Sequence, residues 1–382
     1  MKLGNITLEM HQGINTVADK VEYQNVGTPI IQSKNITSGY LDLDDVKYLG
    51  ISDKNKYFNK YNPQKGDILL ANIGTIGKSI VVEDDIEFLI AWNLFLIRVD
   101  IEQYKPQYIK YYFDYLLKNN KFNSLLSGGT VKFINKKKMK DLDIPESSIE
   151  HQSDIINKLN KISKILDDKK KQLSLLDNLI KSRFIELFGD PETNPKGFKK
   201  VLLSEIAEYF NGLTYSPDNV TNDGTVVLRS SNIQNSQLDF VDTVRVDCPI
   251  KEKLYVKNND ILMCSRNGSA RLVGKVALIK NPSEPMTFGA FMMIIRSRYY
   301  PYLMTYFQMD AFRRQIATGA TTTINQITGN MLNKISLPLP NMADINEFAT
   351  FVEQTDKSKV AIQKSIDELQ QLFDSLMQEY FG

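Results

Sequence analysis

The chain has 382 residues, 42% of them hydrophobic and 24% charged, and carries a net charge of +2 at pH 7. That length allows two or three cores, and that composition excludes a disordered chain. The net charge does not by itself point to nucleic acid, and the longest apolar run, Phe88 to Ile97, is broken by Asn93 and is far short of the roughly 18 residues that cross a bilayer. Met1 to Leu8 lacks a secretory apolar core, so a cytoplasmic location without a membrane partner is expected. Cys248, Cys264, His11 and His151 are too few and too scattered for a zinc site of usual spacing, so they read as structural and neither metal nor cofactor is expected.

In chain order, the first 145 residues read as mixed strand and helix. Leu3, Ile6 and Gly13 come first, then Gly27, Thr28, Ser33, Asn35 and Ile36. Gly66, Asp67, Ile68, Leu69 and Leu70 make a turn and a strand, followed by a polar loop from Asn72 to Lys78 and a strand running to Val82. A second apolar strand spans Trp92 to Val99. Pro106 then opens a helix that places Tyr108, Tyr112 and Leu116 on one face. A small loop, Ser127 to Thr130, and a short strand, Leu142 to Ile144, close this part.

A helix follows, with Ser147 and Glu150 spaced for a capping box. From Ile155 its positions advance by four and three: Ile155, Leu159, Ile162, Leu166, Lys169, Leu173, Leu176, Ile180, Arg183, Leu187. Eight of these ten are apolar, the a/d seam of a coiled coil, since 3.5 residues per turn keeps one stripe facing a partner helix. Gly189 falls where a left-handed C-cap is wanted.

The landmarks then recur. Leu203, Ile206 and Gly212 repeat the start; Gly224, Thr225, Ser230, Asn232 and Ile233 follow; Asn259 to Met263 repeats the turn and strand; and the loop from Ser265 to Lys275 carries Arg266, Asn267, Ser269 and Arg271. Ala290 to Ile295, Pro301 with Tyr302, Tyr306 and Met309, the loop Thr318 to Thr321, and Ile335 to Leu337 complete the copy. Adding 193 to the seam gives Phe348, Val352, Thr355, Lys359, Ile362, Ile366, Leu369, Phe373, Leu376 and Tyr380, again eight of ten apolar or aromatic. Asn341 with Asp344 offers a cap. Two seams in register predict that the helices pair within the chain.

Charge is segregated along these parts. Residues 1–150 hold 19 basic and 19 acidic groups and 151–190 hold 8 and 6, whereas 191–341 hold 17 and 12 and 342–382 hold 3 and 8. Globular parts and helices are thus expected to meet different partners.

Catalytic motifs fail. Asn72 to Ser79 ends like a nucleotide-binding loop, but Asn72 stands where a glycine is required and Ile80, Val81 and Val82 continue as strand, not helix. Asn194, Pro195, Lys196, Gly197 lacks the second proline and aromatic of an amino-methyltransferase motif. With two histidines and no Ser/His/Asp set, general acid–base chemistry has few candidates. What remains is a duplicated surface of loops rich in Asn, Ser, Thr, Gly, Arg and Lys, able to contact phosphates and read base edges. Arg266, Arg271, Arg313, Arg314 and the run Lys136, Lys137, Lys138, Lys140 add positive charge, although a lysine run also suits a solvated face. Two further readings stay open at this point: a coiled-coil adaptor that binds only proteins, and an enzyme with an unrecognised site.

Asp143, Ile144, Pro145 followed by Ile149, Glu150, His151, Gln152 and Ile155, and the exit Phe184, Leu187, Phe188, Gly189, Asp190, Pro191, resemble the specificity subunit of type I restriction-modification systems. Leu337, Pro338, Leu339, Pro340, Met342 and Phe348 repeat the opening, with Ile345 where that family usually has glutamine. The resemblance covers essentially the whole chain. It implies an α+β protein in which two mixed α/β target recognition domains, 1–145 and 190–340, alternate with two long helices, 146–189 and 341–382, paired as an antiparallel coiled coil in a pseudo-two-fold repeat. It also implies a non-catalytic subunit whose domains each read half of a split, asymmetric double-stranded DNA site. The helices are then spacers that dock two modification (methyltransferase) subunits, with restriction subunits as a further partner class.

The shared loop positions give the candidate contacts: Lys34, Asn35, Asn72, Thr75, Lys78, Thr130 and Lys132 in the first domain, and Arg229, Ser231, Asn232, Arg266, Asn267, Arg271 and Thr321 in the second. An antiparallel pair sets Lys169 near Ile366 and Lys359 near Leu176, where the lysine stems can snorkel outward. The 32 steps from Ile155 to Leu187 span roughly 48 Å at about 1.5 Å each, which predicts half-site centres roughly 10 to 15 base pairs apart.

Overall fold

A computed structural model describes residues 1–317 and 326–382. The chain divides into two compact units, Met1–Lys170 with Lys364–Gly382, and Lys171–Gln363. Each unit joins one globular part to half of each long helix, so its limits do not follow the four segments expected from the sequence. No helix among the described residues is long and apolar enough to cross a membrane.

In the first unit, four antiparallel strands lie in the order Thr7–Gln12, Leu94–Val99, Ile68–Ala71, Ser79–Val81. Side-chain alternation gives this sheet two buried faces. Ile68, Leu70, Phe95 and Ile97 face a core with the helix Pro106–Lys118, while Leu69, Ala71, Leu94 and Leu96 join a second cluster with Ile31, Ile36 and Phe88. A smaller sheet, Lys47–Leu49, Thr28–Ile31, Leu89–Ile90, has one antiparallel and one parallel pair.

The second unit repeats this order with Glu208–Asn211, Met292–Arg296, Ile261–Cys264 and Val276–Leu278. Its second sheet, Val220–Thr221, Val244–Val246, Thr225–Leu228, Met286–Phe288, gains an edge strand. Gly13 and Gly212 occupy the same place. A Cβ on Gly13 would sit 2.1 Å from the carbonyl oxygen of Ile90, and one on Gly212 would sit 2.1 Å from that of Gly289. Only glycine permits so close a backbone approach.

An arginine clamp is duplicated as well. Arg98 Nε and Nη2 donate to the two carboxylate oxygens of Asp67, both at 2.7 Å, and Arg296 donates to Asp260 at 2.7 and 2.6 Å. Both aspartates are buried and also accept a backbone N–H, from Gln64 and Lys257 respectively. Each carboxylate raises the pKa of its arginine. Bidentate pairing with an added donor is what makes a buried carboxylate tolerable.

The long helices run Ile149–Phe188 and Met342–Phe381, forty residues each. Every seam position in both is buried or half-buried, while most others are exposed. In the first unit the start of the first helix and the end of the second pack on the domain: Phe381 lies 5.2 Å from Tyr108 and 5.8 Å from Tyr112, ring to ring, and Tyr380 meets His151. In the second unit Phe188 and Phe184 pack on Tyr302 at 5.2 and 4.9 Å, Arg183 pairs with Glu347, and Lys359 pairs with Asp177 at 2.6 Å.

Three local expectations shift. Ser148, not Ser147, caps the first long helix: its Oγ accepts from His151 N at 3.2 Å, because the helix begins at Ile149. Asn341 caps the second helix as its spacing predicts, accepting from Asp344 N at 3.0 Å. Leu142 to Ile144 makes only a bridge to Lys2, whereas Ser336–Pro338 is a strand paired with Lys200–Leu202. The strand expected from Trp92 starts at Leu94, since Asn93 turns its amide onto Ser33.

Candidate nucleic-acid interface

At one end of the first four-stranded sheet, three loops are tied together. The hairpin loop 72–78 is held to the turn Ser33–Ile36, with Thr75 Oγ1 donating to the carbonyl of Ser33 at 3.2 Å. On its other side Ile73 bridges to Phe133 and the Asn72 carbonyl accepts from Ile134 N at 3.0 Å, joining the hairpin Leu126–Ser127 with Phe133–Ile134. The 72–78 segment links two antiparallel strands, so the nucleotide-loop reading is excluded by its geometry as well as its spacing.

The second unit builds the same end. Asn267 Nδ2 donates to Ser230 Oγ at 3.3 Å, Arg266 bridges to Gln326, and Ile327 N donates to the Ser265 carbonyl at 2.7 Å. Ile134 and Ile327 are both 1% exposed, anchoring equivalent segments.

The predicted contacts divide by what their side chains do here. Asn35 and Asn232, expected at the contact surface, instead hold the turns. Asn35 Oδ1 accepts from Gln32 N and its Nδ2 donates to the Asp45 carbonyl; Asn232 Oδ1 accepts from Arg229 N and its Nδ2 donates to the carbonyls of Asp239 and Asp242. Burying a short amide in such a turn satisfies backbone groups that would otherwise lose hydrogen bonds. Asn72 is also fully buried, and neither of its amide atoms has a hydrogen-bond partner among the described residues. Ser231 Oγ is buried in the same condition. Lys34 is exposed but paired with Asp45, and Arg229 is paired with Asp242 at 2.7 Å.

Thr75, Lys78, Thr130 and Lys132 are exposed in the first unit, and Arg266 and Arg271 in the second. None of these four cations makes an ion pair among the described residues. Lys78 also acts on Asp114, whose carboxyl is pushed up by burial and drawn partly back by Lys110 and Lys78. Arg266 lies over the exposed ring of Phe291, 5.5 Å from its centroid, which braces the guanidinium without neutralising it. Thr321 lies outside the described residues.

A family model described as the type I restriction modification DNA specificity domain matches residues 8–176 and 195–371, one match over each repeat. The chain belongs to that family. Among curated relatives, the type I restriction enzyme EcoKI specificity subunit of Escherichia coli K12 is 27% identical over 183 residues, 44% of this chain and 39% of that protein. A Methanocaldococcus jannaschii protein bearing the name MjaX specificity subunit is 28% identical over 200 residues, 51% of this chain and 47% of its own. These two are matched over less than half their length. The StySPI specificity subunit of Salmonella potsdam aligns at 24% identity with 98% of this chain and 83% of that protein. The crystal structure of a type I restriction-modification S subunit from M. genitalium superposes with a TM-score of 0.57 at 15% identity, covering 100% of this chain and 95% of that one. A second structure, from work on assembly of the type I R-M system, gives 0.57 at 16% identity, covering 100% and 96%.

For this specificity-domain chain, sequence reasoning missed the residues brought to the loop cluster from elsewhere. Asn93 brackets Ser33, and Phe291 supports Arg266 across 25 residues of sequence. Trp92, the sole tryptophan, is 39% exposed just before its strand. The only signal was a large aromatic or amide interrupting an apolar run at corresponding places.

Proposed function

We propose that this chain is the DNA-recognition subunit of a type I restriction-modification complex. Each globular domain reads one half of a bipartite, asymmetric double-stranded site through its three-loop surface. The observation that carries the reading is the recurrence of that surface on the same sheet end in both repeats, with exposed, unneutralised cations in each and different side chains at equivalent places. Phosphate contacts fix position and base-edge contacts specify, so a shared frame with divergent loops suits two unlike half-sites.

The two long helices pair antiparallel as a coiled coil with pseudo-two-fold symmetry, setting an unread spacer of fixed length. Within the second unit, 177 meets 359 and 183 meets 347, so one number falls as the other rises, and sheltered seam positions along both helices support the same pairing. The helices also dock two modification subunits; methyl transfer, ATP hydrolysis and cleavage belong to partner chains, and the subunit itself is non-catalytic and cytoplasmic.

Methylome sequencing of cells with and without this chain tests the reading. The expected result is loss of one motif made of two short unlike segments around a spacer, and replacement of residues 1–150 from a relative should change one segment only. A continuous or palindromic motif would refute the two-domain arrangement, and an assembled complex without salt-dependent duplex binding would leave a protein adaptor in its place. Alanine at both Arg266 and Arg271 should relax or weaken one half-site, each arginine that reads a base edge being worth about 1–3 kcal/mol. Unchanged binding and methylation would remove that loop from the interface.

A further inference from the structure

Beside the 265–275 loop the second unit opens a cavity of about 220 Å³ whose lining includes Lys181, Lys275 and Arg313, with Ser236, Gly274 and Gln308, and no carboxylate among the described residues. The cations have no acidic partner within ion-pair distance among those residues. Arg313 Nη1 donates to the Val273 carbonyl and Lys275 Nζ to the Ile233 carbonyl at 3.0 Å, while Lys181 is exposed on its helix. Burial holds the Arg313 guanidinium below its usual pKa, with Asp310 opposing. A charge taken out of water with only carbonyls for partners is costly, and an oxyanion would supply the missing charge-assisted bonds.

The first unit shows that the fold does not require this arrangement. Gly77 and Lys78 correspond to Gly274 and Lys275 at the end of the loop. A Cβ on Gly77 would meet Phe122 Cδ2 at 2.7 Å, whereas one on Gly274 would meet Arg313 Nη1 at 2.9 Å. An aromatic ring that is 3% exposed thus fills in one domain the place that a half-buried arginine takes in the other. The phenylalanine completes a core; the arginine leaves an open, positively lined cavity.

We propose that this cavity is a phosphate-binding site peculiar to the second domain, in which Lys181, Lys275 and Arg313 together hold one phosphate group. The same chemistry accepts a free phosphate or a backbone phosphate of bound DNA; only the second source rests on the function proposed above. Two measurements on the full-length chain and its assembled complex separate them: calorimetric titration with inorganic phosphate, and the salt dependence of duplex binding, each for the unaltered protein, Lys181→Ala and Arg313→Gln.

Phosphate binding that weakens about tenfold in each variant establishes a free-anion site. A fall of about one in the salt slope for Lys181→Ala, without capture of free phosphate, makes the ligand a DNA phosphate. Lys181 is exposed, so its replacement leaves folding intact and keeps the test decisive if Arg313→Gln misfolds. Absence of both effects overturns the site, as does phosphate binding unchanged by either substitution. Loss of duplex binding by the unaltered complex would count against the function and not against the cavity, because the phosphate titration contains no DNA.

Discussion

The two domains share a frame and differ at its end. Both have the same four-strand order, a glycine pressed onto a carbonyl and an aspartate clamped by an arginine. Their loops offer lysines in one and arginines in the other, with Phe122 in one core where the second places Arg313. The clamp and the turn amides of Asn35 and Asn232 recur in both copies, because replacing one leaves a charge or a carbonyl unmatched. Groups facing water carry no such penalty and have diverged.

The largest expected effect breaks the shared clamp. Asp260→Asn should cost about 3–5 kcal/mol, since it removes the anion that compensates Arg296. Asp67→Asn should cost less, because Arg98 keeps Glu9 at 2.8 Å while Glu208, opposite Arg296 in register, forms no ion pair with it. Denaturant unfolding of both variants checks the order, and equal losses would show that Glu9 contributes nothing.

A second test exchanges a buried polar difference at the helix starts. Gln152 is 0% exposed and fully engaged: its Oε1 accepts from Lys105 N at 2.8 Å and its Nε2 donates to the carbonyls of Gln103 and Ser147. Ile345, 193 positions on, is 0% exposed in an apolar core. Gln152→Ile and Ile345→Gln should each lose about 1–3 kcal/mol, the first by orphaning backbone groups and the second by burying an unmatched amide. Thermal unfolding that left either variant unchanged would show that its helix start is loose enough to admit water.

Alkaline pH sharpens the comparison through the tyrosines beneath the helices. Burial pushes Tyr108 and Tyr111 up to about 12, and Tyr302 and Tyr306 higher still. A raised folded pKa means that stability is complete below the unfolded value, near 10, and is lost as pH rises through the folded one. The protein should therefore lose stability between about pH 10 and 12, with the second domain's tyrosines ionising only on unfolding. A phenolate signal near pH 10 that Tyr302→Phe or Tyr306→Phe removed, before any loss of helix, would contradict their burial.

The smallest effect concerns the helix pair. Lys359→Ala should cost about 0.2–1 kcal/mol, as for partly exposed ion pairs, and a double-mutant cycle with Asp177→Ala should return that coupling. A zero coupling would reduce the contact to proximity.

Periodicity and repetition were enough to read a repeated mixed α/β chain with two long helices, because hydrophobic spacing is a local property that burial enforces at every turn. The polar loops were legible as candidates, but not their roles: Asn35, Asn232 and Lys34 sit in the same kind of turn sequence, and only the fold decides that the amides point inward to backbone groups while the lysine reaches Asp45. Phe291 under Arg266, Asn93 against Ser33 and Lys181 beside Arg313 were beyond sequence reading for the same reason. Such partners are chosen by strand register and helix packing over long separations, which no local spacing encodes.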